Sequence, residues 1–230
     1  MKILHLITAR AGSKGLPGKN TKNLEGNPLF MYSVEFAKNN MNDIDELCIS
    51  TNDDELISMA KSRGIDVPFK RPEDLASDSA TSNDVIRHAV NYYKAQGKEF
   101  DAVLLLQPTS PIRLDSDYRS IIDTYSADID MVVSVKESKE NPYFTLYEED
   151  DKGLLEKSKK GEFSRRQDCP SVFAFNGSMY LINVRTIMSK DLSHFTNIKK
   201  LVMPDERSVD IDTMADWTLA EYYMNNALKR

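Results

Sequence analysis

Lys2-Ile3-Leu4-His5-Leu6-Ile7-Thr8 is an apolar run, and Ala9-Arg10-Ala11-Gly12-Ser13-Lys14-Gly15-Leu16-Pro17-Gly18-Lys19-Asn20 follows it with three glycines and three cations. The first part reads as a buried strand. The second reads as a loop whose glycines let the backbone turn and bring N–H groups close to an anion. Arg10, Lys14 and Lys19 supply charge for a phosphate. Two commoner phosphate loops do not fit. A P-loop places four residues between its first glycine and Gly-Lys-Ser/Thr, whereas Gly12 and Gly18 enclose five and Asn20 stands where a hydroxyl is needed. The dinucleotide fingerprint G-x-G-x-x-G is also absent, since the glycines here recur every third residue. In isolation, a solvated basic loop would read the same way, so the rest of the chain has to decide.

The strand-then-helix pattern repeats downstream. Pro28–Asn40 carries Leu29, Tyr32, Ser33 and Phe36 on one helical side, and Glu46–Thr51 (ELCIST) is a second short strand. Asn52-Asp53-Asp54 can cap a helix over Asp53–Arg63, which Gly64 stops. Val67–Lys70 reads as a short strand, and a hydroxyl-rich loop from Arg71 leads to a helix over Ser82–Gln96, with Val85, Ala89, Tyr92 and Tyr93 inward. Asp101–Leu106 (DAVLLL) has the continuous apolar character of a strand covered on both faces. Pro108 and Pro111 make Gln107–Arg113 a loop, a helix follows over Leu114–Tyr125, and Met131–Val135 is a further strand.

This alternation predicts an α/β fold: a Rossmann-like, mostly parallel sheet with helices on both faces. Ligands in such sheets bind beyond the carboxyl ends of the strands. The polar loops starting at Thr8, Ser50 and Gln107 are therefore expected along one edge.

After Lys136 the pattern changes. Pro142 interrupts it, Tyr143–Tyr147 reads as an isolated strand, and Glu148–Arg166 is dense in charge of both signs, the character of an insertion. Strands return at Ser178–Asn183 and Lys199–Met203, separated by a short helix over Arg185–Ser189. The last helix, Thr213–Leu228, is expected to bury Trp217, Ala220, Met224 and Ala227. There is no internal repeat and no low-complexity tract.

Composition narrows the function classes. At 230 residues and 40% hydrophobic content, the chain can bury one substantial core as a single domain over 1–230. A formal net charge of −6 argues against a nucleic-acid surface. Two cysteines, Cys48 and Cys169, give no disulfide framework, and the three histidines lack ligand spacing. The first apolar run is too short to span a bilayer and no cleavage pattern follows it, so the expectation is a cytoplasmic protein with no membrane association.

Asp210-Ile211-Asp212 is the second chemical feature. Alternate residues of an extended segment point to one side, so both carboxylates can face one cation, and all-oxygen ligation suits Mg²⁺. A phosphate loop with such a metal site is the minimum apparatus for nucleotidyl or phosphoryl transfer. Taken alone, the pair reads equally well as a cap, with Asp212 or Thr213 at the N-cap of the last helix.

Six segments in order make the reading specific: Ala9–Asn20; Ser50-Thr51; Arg71-Pro72 with Leu75-Ala76-Ser77-Asp78; Leu105–Pro111; Arg166-Gln167 with Asn176-Gly177; and Asp210–Thr213. On these the sequence resembles the CMP-sialic acid synthetases, the acylneuraminate or nonulosonate cytidylyltransferases, over nearly its whole length. The resemblance implies transfer of CMP from CTP to the anomeric hydroxyl of a nine-carbon α-keto acid sugar, with release of pyrophosphate. It implies that Ala9, Arg10, Ser13, Lys19 and Asn20 form the triphosphate loop, and that Arg71 and Ser82 contact the nucleotide. Gln107, Arg166 and Tyr180 would contact the sugar, Arg166 through its carboxylate. Asp210 and Asp212 would hold Mg²⁺. Lys19 and Arg10 would stabilise charge on the transferring phosphoryl group, and Asp212 or a metal-bound hydroxide would take the proton.

The resemblance further implies a homodimer built through an inserted segment at about 137–170 and around 185–198. The chain departs from the sialic-acid pattern at Asn141-Pro142-Tyr143-Phe144-Thr145, where an aromatic pair replaces a lysine, and at Ala174-Phe175, where an arginine is missing. Both departures look more like synthetases for legionaminic or related acids. The competing readings are a Kdo-type cytidylyltransferase and a catalytically silent nucleotide-binding module.

Overall fold

The strand β1 (Ile3–Thr8) splits its side chains between two cores. Ile3 and Ile7 point to one face of the sheet and Leu4 and Leu6 to the other, as the period of two requires. The computed structural model describes residues 1–12 and 15–226. It pairs β1 with β2 (Glu46–Ser50) on one side and with β3 (Ala102–Leu106) on the other, both parallel. Six strands complete the main sheet in the order β8-β4-β7-β3-β1-β2, where β4 is Met131–Glu137, β7 is Phe173–Asn183 and β8 is Ile198–Val202. Only β7 runs antiparallel, between β3 and β4.

Helices α1 (Leu29–Asn40), α2 (Asp54–Ser62) and α4 (Asp115–Thr124) cover one face through Phe30, Val34, Leu56 and Ile121. On the other, α3 (Ser82–Lys94) contributes Ile86, Ala89 and Val90, and the single turn α5 (Val184–Ile187) adds Ile187. The mostly parallel, two-sided α/β fold expected from the alternation is the fold observed. Register carries the functional consequence: Thr8 pairs with Ser50, and Ile7 with Leu106, so the loops after β1, β2 and β3 leave the sheet side by side. Asp53 caps α2 by accepting from the N–H groups of Glu55 and Leu56. Thr81 and Asp84 form a reciprocal capping box at α3, so Thr81 and not Ser82 is its N-cap.

The sequence reading errs where local polarity hid the pairing. Val67–Lys70 makes no strand, only an isolated bridge from Lys70 to Thr51. Of the expected strand Tyr143–Tyr147 only Tyr147 is extended in a ladder; Tyr143–Thr145 is a turn, because the Asn141 side chain accepts from Tyr143 N at 2.9 Å and its carbonyl from the N–H groups of Phe144 and Thr145. The insertion's actual strands are a small hairpin, β5 (Tyr147–Glu149) with β6 (Leu155–Lys157). Strand β7 starts at Phe173, earlier than its apolar run, because Phe173, Ala174 and Phe175 pair with the end of β4 beyond an irregularity.

Between Val133 and Val135 lies only Ser134, whereas their partners Tyr180 and Phe175 enclose Asn176–Met179. Ser134 fills that bulge, accepting from Met179 N at 2.8 Å and donating to Asn176 Oδ1 at 2.6 Å.

The last helix, α6 (Met214–Asn226), buries Trp217 and Ala220 against Leu24, Leu29, Val209 and Ile211, with Met224 partly covered; Ala227 lies outside the described residues. Among the described residues no helix is long and apolar enough to cross a membrane. Leu104, fully buried at the centre of β3, tests the core. Leu104→Ala should cost about 2–5 kcal/mol in urea denaturation.

Candidate active site

The loop after β1 first continues along β2, with Ala9 N donating to Ser50 O at 3.1 Å and Ala11 N to the Asn52 side chain at 2.9 Å. It then turns inward. Lys19 N donates to Leu16 O and Thr21 N to Gly18 O, and this turn delivers the Lys19 side chain into the protein. Its Nζ donates to Ile211 O and to Asp212 Oδ1, both at 2.7 Å. The Lys19 side chain is only 9% exposed, whereas that of Asp212 is 70% exposed. Gly15 makes this approach possible, since a Cβ there would lie 2.3 Å from Asp212 O. Asn20 is buried, and its amide donates to Arg10 O. Arg10 reaches the other way, to Asp78 Oδ1 at 2.9 Å and Ala76 O at 3.4 Å.

The acidic segment is fixed from behind. Ile211 N donates to Thr109 O at 2.8 Å, and the Ile211 side chain is fully buried against α6, which leaves Asp210 and Asp212 on the open side. The N-terminus of α6 is satisfied without Asp212: Asp216 Oδ2 accepts from Thr213 N at 2.8 Å, and Thr213 Oγ1 accepts from Asp216 N at 3.3 Å. Of the two capping candidates, Thr213 has the role. Asp212 is thus available for chemistry.

Beside this segment the β7 bulge places Gly177 at φ +75°, where a Cβ would lie 2.8 Å from Gln107 Oε1 and 3.3 Å from Asp210 Oδ2. Only glycine fits. Asn176 ties the bulge down by donating to Ser208 Oγ at 2.9 Å, two residues before Asp210.

A cavity of about 520 Å³ opens over these groups, lined by Arg10, Lys19, Asn20, Gln107, Asp210 and Asp212 among others. A narrower one of about 230 Å³ adjoins it through Thr8 and Arg10 and is lined by Arg71, Ser77 and Ser82. Arg71 is buried and donates from Nε to Ser50 Oγ at 2.9 Å. Burial, with the nearby Arg10 charge, pushes its guanidinium down to about 10, so it remains a cation at neutral pH.

Cations at one end, two carboxylates at the other and a small side pocket suit an extended polyphosphate carrying a compact head group. The two carboxylates, with substrate oxygens, also match the donor set of Mg²⁺, which is commonly held by one or two carboxylates plus phosphates. Among the described residues no group of three or more acidic, histidine or cysteine side chains converges as a metal cage.

Residues 4–217 match a family described as cytidylyltransferase. The chain belongs to the cytidylyltransferase family. Over nearly its full length this cytidylyltransferase is similar to the CMP-N,N'-diacetyllegionaminic acid synthase of Legionella pneumophila, 33% identical over 228 residues, 97% of each chain. It is 31% identical over 226 residues to the post-translational flagellin modification protein B of Campylobacter coli, covering 96% of this chain and 94% of that one. Its fold matches the solved structure of CMP:2-keto-3-deoxy-manno-octonic acid synthetase complexed with CTP, with a TM-score of 0.72 over 100% of both chains at 15% identity.

In this cytidylyltransferase the structure brings Ala9, Arg10, Lys19, Asn20, Gln107, Asp210 and Asp212 to one cavity, and Arg71 and Ser82 to its neighbour. Tyr180 is half-buried on β7, edge-on to Phe175, and lines neither cavity; burial and then the Asp210 charge raise its hydroxyl pKa. Ser13 lies outside the described residues. Arg166 stands apart, in a short turn lining a separate cavity with Lys139, Cys169 and Asp205.

Sequence reasoning missed Arg113, which donates to Gln107 O at 2.6 Å, Ser178 O at 2.9 Å and Ser33 Oγ at 3.0 Å. It clamps the Gln107 loop to β7. A cation just after a two-proline loop was the available signal. Gly177→Ala should lower stability by about 1 kcal/mol or more and depress turnover, since it combines left-handed strain with a clash. Thermal denaturation and a pyrophosphate assay read the two effects; a variant matching the parent in both would mean that the close approach is dispensable.

Proposed function

We propose that this cytidylyltransferase transfers CMP from CTP to the anomeric hydroxyl of a nonulosonic acid of the N-acylneuraminate or legionaminate type, releasing pyrophosphate. The observation that carries the reading is the meeting of Lys19 with Asp212 in a cavity also lined by Arg10, Gln107 and Asp210. A silent module has no need to bury a lysine against an exposed carboxylate at the mouth of such a cavity.

In this reading Ala9, Arg10, Ser13, Lys19 and Asn20 cradle the triphosphate, and Arg71 and Ser82 line the pocket for the nucleoside. Lys19 exchanges its Asp212 contact for the phosphoryl oxygens, where charge develops in the transition state. Asp210 and Asp212 would hold Mg²⁺, which when bound would neutralise phosphate charge and stabilise the leaving pyrophosphate. Gln107 and Tyr180 orient the acceptor beside Asp210. Once Lys19 has left Asp212 Oδ1 for the phosphate, one Asp212 oxygen can face the metal and the other accept the proton of the attacking hydroxyl.

Arg166 is assigned to the acceptor carboxylate of a partner subunit in a homodimer, because within its own chain it lines a different cavity from Asp210. The exposed Leu146, Tyr147, Leu154 and Leu155 at the insertion's hairpin support such an interface. Sedimentation equilibrium should give twice the chain mass. A monomer active at all concentrations would remove the partner role of Arg166.

Pyrophosphate release with CTP, Mg²⁺ and a panel of N-acetylneuraminic, N,N'-diacetyllegionaminic, pseudaminic and Kdo acids tests the activity. Release is expected with CTP and a nine-carbon acid, not with Kdo. Lys19→Met keeps the buried stem and removes the charge, so turnover should fall by about 100-fold or more with the fold retained. Full activity in that variant would overturn the phosphate assignment.

A further inference from the structure

Two stretches far apart in sequence line the Lys19 cavity side by side: Gln107, Pro108 and Thr109 leave β3, and Asp210 and Asp212 precede α6. Gln107 Oε1 and Asp210 Oδ2 face one spot, the open side of Gly177. The bond from Ile211 N to Thr109 O joins the two stretches at the cavity itself. A second tie lies behind the cavity wall, between residues that do not line it.

Asp117 stands in the first turn of α4, and Arg207 ends a single turn over Asp205–Arg207. Their pair is a fork: Arg207 Nε donates to Asp117 Oδ2 at 3.1 Å and Nη2 to Oδ1 at 2.9 Å. The Asp117 side chain is 7% exposed and that of Arg207 20%, whereas the fork between Arg165 and Asp168 is local and lies in water. Asp117 Oδ2 also accepts from Leu114 N at 2.9 Å, which fixes the carboxylate to the start of α4. Arg113 lies within the field of the same carboxylate: burial pushes its guanidinium down to about 9, and the Asp117 charge pulls the other way. One carboxylate is thus shared by two guanidinium groups. Arg113 holds Gln107 O, and Arg207 stands just before Asp210, joined to it by the buried Ser208 and Val209. A shift of Arg207 therefore reaches Asp210 instead of being absorbed in a loose loop.

An ion pair taken out of water gains little over apolar contacts of the same size, because desolvation offsets the attraction. What a fork supplies is geometry, since two parallel bonds fix both distance and angle. Geometry matters at this point of the molecule, where a displacement of about 1 Å can lower a rate by about a hundredfold.

Resting on the cytidylyl-transfer reading, we propose that Asp117 and Arg207 are positioning residues for the reaction, their fork setting the Asp210–Asp212 segment against the Gln107 loop. Neither touches substrate. They act through Asp210 and Gln107, whereas the proposed nucleotide contacts of Arg10, Arg71 and Ser82 come from other elements. The signature is therefore a fall in kcat at a nearly constant KM for CTP.

The test is pyrophosphate release by three variants with CTP, Mg²⁺ and the acid of the panel that the parent turns over fastest, alongside thermal denaturation. Arg207→Met strands a buried carboxylate and should lower both thermal stability and kcat. Arg207→Lys keeps the charge and loses the fork, so kcat should fall severalfold with stability close to the parent. Asp117→Asn combined with Arg207→Met strands no charge, and the Asn side chain keeps an acceptor for Leu114 N. This double variant should recover most of the stability lost in Arg207→Met while its kcat stays about tenfold or more below the parent, with the KM for CTP within about twofold. Turnover that returns together with stability in the double variant, or a parental kcat in Arg207→Lys, makes the pair merely structural and overturns this inference alone. Loss of the folded state in all three variants overturns it as well. Absence of pyrophosphate release by the parent with every acid overturns the cytidylyl-transfer reading, and this one with it.

Discussion

Lys19 and Asp212 are separated by 193 positions in the chain and by 2.7 Å in space, and the rest of the site is arranged around that contact. A buried ammonium is costly unless its donors are used. Here Ile211 O and Asp212 Oδ1 use two of them, and the loop after β1 must therefore close over the segment before α6. Because Asp212 stays largely in water, the pair adds little net stability. Its value is positional, since the cation proposed to meet phosphate and the carboxylates proposed to meet a metal are fixed by one hydrogen-bonded junction.

The sheet supplies the second half of that junction by breaking its own regularity. A regular β7 would carry side chains past Gln107 with no opening for Asp210. The bulge opposite Ser134 instead spends four residues against one, and the left-handed Gly177 lets Gln107 Oε1 and Asp210 Oδ2 approach the same backbone. The cost of this kink is offset by hydrogen bonds: Ser134 with Asn176 and Met179, Asn176 with Ser208, and Arg113 with Ser178 and Gln107. Gln107 apart, these residues bind no substrate in the proposed reading, yet they set where the substrate groups stand.

What could be read from the sequence follows from which forces act locally. Continuous apolar runs such as that ending at Leu106 and periodic helices such as α3 announce themselves, because burial on both faces or on one leaves a direct imprint on residue choice. The glycine loop and the Asp210-Ile211-Asp212 segment stood out by composition and spacing, and the fold brings both to one cavity. Pairing decided by distant partners was not legible. Phe173–Phe175 became strand only because β4 continues past Ser134, and Tyr143–Thr145 turns back on Asn141 instead of extending. The capping ambiguity at Asp212 and Thr213 was settled by Asp216, whose carboxylate holds the helix start. Arg113 could be seen as a cation but not as a clamp, since its three acceptors come from α1, β7 and the Gln107 loop.

Asp210 stands at the boundary of two cavities and lines both. On one side of this carboxylate lie Arg10, Lys19, Gln107 and Asp212, the groups proposed for cytidylyl transfer. On the other lie Lys136, Phe175, Leu219 and Tyr223, contributed by the end of β4, the start of β7 and the outer part of α6. None of these four holds the Lys19–Asp212 junction or the Asn176 network in place. Substitution there leaves the Lys19 cavity in place, because the hydrogen bonds that fix the Asp210 segment run through Thr109, Asn176 and Ser208. A single residue, held by its neighbours' hydrogen bonds, thus separates the proposed reaction cavity from a surface whose side chains can change independently of it.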